Sequence, residues 1–365
     1  MAPTPEIAVV GAGVVGLCAA YALSRRGVPV RVYEPGRPGD AQSGGASRIF
    51  RHAHDDPRLV GAARAARALW RGWGERLGIE TISADGAVAI GDAVPRRLAI
   101  LEREGVPVRA IDRHELARLL PILARFDGPA MIDDAAGSIR TEAVVAALAA
   151  ALGDAITTDE VMAVRPLDGG GVEVVTGGGR HRHPTVLVCA GRGTAALARP
   201  LGLAPPVTLS AHIRLTFAVR GDPPERLPCL QDSSGAFGET GTYAAALPGN
   251  RAYAVGIADP IPARPEGALR DAADPAALVA RTRAYVARAL PRLSPEPIGS
   301  RACWVTELDW GADGVAVWEA GDARFLVGHN LFKHAPALGE ALADHATGVT
   351  PALDLTPEAR LGRGD

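Results

Sequence analysis

The sequence predicts an α/β fold, α+β overall, with one unit on a parallel sheet and a second on a mostly antiparallel sheet. Three observations predict it. The chain opens on a glycine-punctuated strand, turn, helix and strand; an apolar strand later ends in Ala190-Gly191; and segments 212–219, 242–247 and 251–257 alternate apolar with polar residues. Its 365 residues suffice for two domains and a large core.

The opening strand is Ile7-Ala-Val-Val10, followed by Gly11-Ala-Gly-Val-Val-Gly16, an alanine-rich helix to Arg26 and a second strand, Val28 to Tyr33, closed by Glu34. Gly11 permits a tight turn, Gly13 lets the backbone approach a pyrophosphate, and Gly16 lets the helix pack close on the strand. The helix N-terminus then faces the phosphates. Glu34 lies near the spacing of about 20 residues expected for an acid on a ribose hydroxyl. These features predict a dinucleotide site, and the motif serves FAD and NAD alike.

A glycine-rich loop, 35–46, leads to Ser47-Arg-Ile-Phe-Arg-His-Ala-His54. Taken alone, Arg48 and Arg51 fit a pair of surface ion pairs. A helix is predicted from Pro57 to Leu77, with Leu59, Trp70 and Trp73 as core contacts, then a strand at 86–90 and short helices at 95–104 and 112–120. From Gly137 the pattern returns to the nucleotide unit: a helix from Arg140 to Leu152 with Thr141 as a possible cap, strands at 160–165 and 172–176, and Pro184 to Gly191. The antiparallel segments and a helix from Pro275 to Leu290 follow. The segment Ser300-Arg-Ala-Cys-Trp-Val-Thr306 and an apolar strand at 323–328 come next, and His329-Asn-Leu-Phe-Lys-His-Ala-Pro-Ala-Leu-Gly339 leads into a terminal helix. Lys333 thus falls between a strand end and a helix start, the edge where active sites of open parallel sheets gather.

Composition narrows the function. A 47% hydrophobic and 22% charged chain is an ordinary soluble globular protein. No run approaches the roughly 18 apolar residues of a membrane span, and the first strand begins too early for a signal peptide, so a cytoplasmic location is expected. A net charge of −2 offers no footprint for nucleic acid or for a membrane surface. Cys18, Cys189, Cys229 and Cys303 form no C-x-x-C pair, so neither a metal site nor a disulfide framework is indicated. Cys18, in the first helix, and Cys189, in an apolar strand, read as buried hydrophobes. Cys229 and Cys303 stay open. Lys333 is the one lysine among 39 basic residues, which sets it apart from the arginine surface. The expected partner is a small molecule.

In this order the glycine motif, Glu34, Ser47–Ala53, Val188-Cys-Ala-Gly191, Ala302-Cys-Trp-Val-Thr306 and Gly328-His-Asn-Leu-Phe-Lys-His334 resemble one flavoprotein group. It is the monomeric sarcosine oxidase and N-methyl amino acid oxidase branch of the D-amino acid oxidase superfamily, and the resemblance runs along nearly the whole chain. It implies a Rossmann-like FAD-binding domain at 1–75, 138–204 and 305–365, and a substrate domain at 76–137 and 205–304. The implied cofactor contacts are Gly11, Gly13, Gly16, Glu34, Ser47, Arg48, Val161, Gly191, Cys303 and Lys333, with FAD attached to Cys303 through a thioether at its 8α-methyl. The residue-level alternative for Cys303 is a core thiol.

The catalytic residues implied are Arg48 over the flavin ring and the Arg51–Lys333 pair on a substrate carboxylate. A guanidinium fork and an ammonium suit that group. The implied reaction oxidises the C–N bond of an amine bearing a carboxylate to an imine, with oxygen or another acceptor taking the electrons, in a monomer. Two positions depart from the pattern. Ala254 stands where the family carries an oxygen-activating lysine, and Ala258 where it carries a substrate-side histidine.

Overall fold

The structure, a computed structural model, describes residues 6–264, 267–271 and 274–363. Strand β1 (Ile7–Val10) is apolar and buried at every position, because a central parallel strand has both faces covered. Beside it lie β2 (Val30–Glu34) and β12 (Val186–Val188), and the sheet widens through β8 (Ile156–Thr158), β20 (Ala323–Gly328) and β19 (Val315–Ala320). The order is β19-β20-β12-β1-β2-β8, parallel throughout except for the edge pair of β19 and β20.

Helix α1 (Val14–Arg25) carries the chain from β1 to β2 and is buried from Val14 to Leu23, which explains its alanine content. It packs against α5 (Thr141–Leu152) and α8 (Ala335–Ala346). A Cβ on Gly339 would lie 2.6 Å from the Cys18 carbonyl carbon, so α8 approaches α1 as closely as only glycine allows. Helix α2 (Pro57–Leu77) has the predicted limits: Asp56 accepts from the Arg58 N–H, Pro57 opens the first turn, and Gly78 closes the helix in the left-handed region.

A nine-stranded sheet forms the second layer. It comprises β4 (Ala87–Gly91), β5 (Arg109–Ala110), β6 (Ala130–Asp133), β13 (Val207–Val219), β14 (Cys229–Ser233), β15 (Thr242–Ala246), β16 (Ala252–Ile257), β17 (Ile261–Pro262) and β18 (Leu293–Leu308). Its order is β17-β13-β16-β15-β14-β4-β6-β5, with β18 also paired to β13; only β4 with β14 is parallel. Ile213, Leu215 and Phe217 of β13 share a core with Tyr253, Val255 and Ile257 of β16 and with Tyr285 and Val286 of α7 (Asp274–Ala289). The strand period therefore turns His212 and Arg214 to the other face. Helices α3 (Val94–Arg103) and α4 (Arg113–Leu119) and the short α6 (Thr194–Ala198) complete the helical set among the described residues.

The smaller pieces are a three-stranded sheet of β9 (Val161–Pro166), β10 (Val172–Thr176) and β11 (Gly179–His183), and a ribbon pairing β3 (Arg48–Phe50) with β7 (Gly137–Ile139). Several details differ from expectation. Thr141 is not a cap: Arg140 holds that position, and the Thr141 hydroxyl donates to the Gly45 carbonyl. Cys189 lies just past the end of β12. Strands β3, β5, β6, β7, β8, β11, β14, β17, β18 and β19 are additional. The outermost limits of the expected domain ranges, 1–5 and 364–365, lie outside the described residues. Among the described residues no helix is long and apolar enough to cross a membrane, and no group of His, Cys, Asp and Glu could hold a metal ion.

Candidate active site

A cavity of about 880 Å³ lies between the two large sheets, lined by loops after β1, β12 and β20 and by one face of the nine-stranded sheet. At its first end Gly11, with φ of 99°, passes so close to the loop after β12 that a Cβ would meet the Cys189 carbonyl oxygen at 2.6 Å. A Cβ on Gly16 would fall 2.0 Å from the Gly11 carbonyl oxygen, which is the close packing of helix on strand that the motif predicts. Glu34 is held in place at the end of β2: its carboxylate accepts from the Ala12 N–H at 2.8 Å and the Gly36 N–H at 3.2 Å. The first turn of α1 carries no acid to repel an anion at its N-terminus, where the Val14 N–H donates to Ser43 Oγ at 2.9 Å.

At the second end Arg48 donates to the Ser47 carbonyl at 2.9 Å and the Gly44 carbonyl at 2.6 Å, with Nη2 3.8 Å from Cys303 Sγ. Burial, and then Arg214, lower the Arg48 pKa to about 10. Buried Arg214 donates Nη1 to the Ser47 carbonyl at 2.7 Å and lies 5.9 Å from the centre of the Tyr243 ring. Its Nε and Nη2 have no partner among the described residues, and neither arginine forms an ion pair there.

Strand register explains the wall beneath them. Arg214 pairs with Gly256, Gly256 with Tyr243 and Tyr243 with Gln231, so one row crosses four strands. A Cβ on Gly256 would lie 2.6 Å from the Tyr243 ring; its absence lets that ring extend along the row.

A third group sits between these elements. Arg51 Nη2 is 3.3 Å from Asp313 Oδ2, Lys333 Nζ is 3.7 Å from Asp313 Oδ1, and the same carboxylate meets His54 Nδ1 at 3.0 Å and Asn330 Nδ2 at 2.8 Å. Lys333 also donates to the Asn330 carbonyl at 3.1 Å. Burial pushes the Asp313 carboxyl up, but Lys333, Arg51 and His54 outweigh it and hold the acid well below the usual range. Burial lowers Lys333 to about 8 despite Asp313, and burial with Arg51 lowers His54 to about 3. Arg51 Nη1 is buried with no partner among the described residues.

The model of the FAD dependent oxidoreductase family matches residues 6–345. The chain belongs to that family. Among curated proteins no sequence match is significant. The fold of this FAD-dependent oxidoreductase is similar to that of NikD, an unusual amino acid oxidase essential for nikkomycin biosynthesis (TM-score 0.84, 21% identity, covering 97% of each chain). It is also similar to L-proline dehydrogenase from P. horikoshii (0.82, 19%, covering 97% of this chain and 96% of that one) and to glycine oxidase from Geobacillus kaustophilus (0.81, 22%, 97% of each).

The residues present fit FAD. The glycine turn and the α1 N-terminus suit a diphosphate, Glu34 suits a ribose, and the unpartnered N–H groups of Arg214 suit an electron-rich ring. Of the positions singled out in the sequence of this oxidoreductase, Gly11, Gly13, Glu34, Arg48, Arg51, Val161, Gly191, Cys303 and Lys333 line the cavity. Gly16 lies behind it as packing, and Ser47 is buried with its hydroxyl unpartnered among the described residues. Arg51 is only 12% exposed at its side chain and pairs with Asp313, so it is no ordinary surface residue. Ala258 lines the cavity, whereas Ala254 does not.

Sequence reasoning missed Arg214, Tyr243 and Asp313. His212 and Arg214, alternating with Ile213, Leu215 and Phe217, marked the wall, for the alternation shows which face they share. Asp313 lies in a turn, and no periodicity points to it.

Proposed function

We propose that this FAD-dependent oxidoreductase oxidises the C–N bond of an amino acid, or of an N-alkyl or cyclic amino acid, to an imine, in the manner of the sarcosine oxidase branch. Oxygen then takes the electrons and gives hydrogen peroxide. The observation that carries this reading is the Arg51–Lys333 pair, which comes from distant segments, lines the same cavity as Cys303 and Arg48, and keeps Arg51 Nη1 unpartnered among the described residues. The fold neighbours whose names specify amino acid or proline oxidation support the substrate class.

Bound FAD supplies the two-electron acceptor. The chain's part is orientation and charge. Arg51 and Lys333 hold the carboxylate, so that the adjacent C–H bond faces the region of Arg48 and Cys303. A cavity rich in guanidinium groups lowers the pKa of the substrate amine and favours its neutral, reactive form. Water entering the open site hydrolyses the imine. Cys303 is the proposed attachment point, and the oxidoreductase is proposed to act as a monomer in the cytoplasm, with the sheet-based division into cofactor and substrate domains set out above.

A second reading keeps the chemistry but passes electrons to a carrier other than oxygen; it is favoured by Ala254, a methyl group where the resemblance calls for an ammonium. Lys333→Ala tests the first reading. Losing one partner of a buried charged contact costs about 2–5 kcal/mol, so kcat/KM should fall roughly thirtyfold or more. Equal oxidation of amines with and without a carboxylate overturns it.

A further inference from the structure

The clamp that Arg51 and Lys333 form already contains a carboxylate. Asp313 spans both cations: Oδ2 faces Arg51 and His54, and Oδ1 faces Lys333 and Asn330. Each oxygen therefore has two neighbours, and among the described residues no second acid contacts either cation. His54 is buried at Nδ1 against Asp313 and its Nε2 has no partner among the described residues, so it contributes orientation and no charge.

Within this group two cations and one fixed anion leave a single positive charge; Arg97, whose charge also reaches Arg51 and Lys333, is itself paired with Asp55 at 3.3 Å. One guanidinium nitrogen, Arg51 Nη1, and the remaining ammonium hydrogens stay available to receive a ligand. One incoming carboxylate neutralises the group. A second carboxylate placed at this same group would find no cation left there and would lie beside the Asp313 carboxylate, and like charges so placed repel strongly.

We propose that Asp313 is a built-in counter-carboxylate that sets the clamp to one net positive charge, so that the site accepts amines bearing a single carboxylate and rejects those bearing two. The proposal rests on the reading that Arg51 and Lys333 hold the substrate carboxylate. Asp313 touches neither cofactor nor reacting atoms in this role; it is a specificity residue acting through the two cations.

The test titrates purified holoenzyme with acetate and, separately, malonate, reading the perturbation of the flavin absorbance. Wild type should bind malonate no more tightly than acetate. Asp313→Asn, which keeps the shape and removes the charge, should bind both anions more tightly, with malonate gaining about tenfold or more over acetate. Asn330→Asp makes the opposite change at a residue whose φ of 56° asparagine and aspartate both tolerate. It should weaken acetate about tenfold, and it keeps the proposal testable if Asp313→Asn does not fold. Should Lys333→Ala weaken acetate while both charge variants leave it unchanged, or shift it in the same direction, Asp313 is merely structural and the inference is overturned with the clamp intact. Should Lys333→Ala also have no effect, the clamp reading falls, and the inference with it.

Discussion

Cys303 differs from the other three cysteines in its surroundings. Cys18, Cys189 and Cys229 are buried, and burial raises their thiols, to about 12 for Cys189 and Cys229. Cys303 is half-buried, lines the cavity and lies beside the Arg48 guanidinium. A thioether to FAD at this residue is expected to keep the yellow colour with acid-precipitated protein, and Cys303→Ser to release it into the supernatant. Colour lost from fully loaded wild type in the same assay rules the attachment out.

Lys333 gives a pH signature. Its pKa of about 8 means that the ammonium is present below that pH and is lost as pH rises through it. The affinity for a carboxylate without an amine, such as acetate, should therefore fall above about pH 8, and Lys333→Arg should move the fall upward. An affinity flat from pH 7 to 10 contradicts the role. Glu34 and the glycines were legible because their chemistry is set by near neighbours in the chain, and Lys333 because it is the one lysine. Asp313 was not, since its meaning comes from residues 51, 54, 330 and 333, which only the fold assembles.

At the scale of elements, two glycines separate packing from function. At Gly339 an added Cβ meets backbone of α1, which cannot move without shifting a buried helix, whereas at Gly256 it meets the ring of Tyr243, a side chain with a cavity beside it. Overpacking costs typically about 1–3 kcal/mol, and the cost grows when the neighbour cannot yield. Gly339→Ala is therefore expected to lower the Tm more than Gly256→Ala, while Gly256→Ala should disturb substrate binding more. Equal Tm losses would show that the β13–β16–β15 row is as rigid as the helix pair. Long periodic elements such as α2 could be read from the sequence with their limits. Strands β3 and β7 could not, because three residues carry no period, and their pairing joins positions 48–50 to 137–139.

For the whole molecule the open question is how electrons leave. The lining cations are Arg48, Arg51, Arg97, Arg192, Arg214 and Lys333, and two of them already engage Asp313. Reduction of oxygen develops negative charge, and a preorganised cation lowers its barrier; deleting one such contact typically costs roughly 10²–10³ in rate. Guanidinium groups offer that charge spread over a plane. Substrate is expected to reduce the flavin quickly and oxygen to restore it slowly, with an artificial dye raising turnover. Stopped-flow mixing of reduced enzyme with oxygen measures this directly. Fast reoxidation that Arg214→Met abolishes would identify the unpartnered guanidinium on β13 as the group that stands in for the missing lysine.

The packing of α8 on α1 also bears on how the protein is made. The glycine turn leaves the ribosome well before β20, Lys333 and the helix that buries the far side of α1. Until they emerge, β12 lacks its outer parallel neighbour and α1 exposes an apolar flank. Cofactor capture therefore belongs to the finished chain, and nascent chains stalled before residue 320 should hold no flavin however well their opening motif is formed.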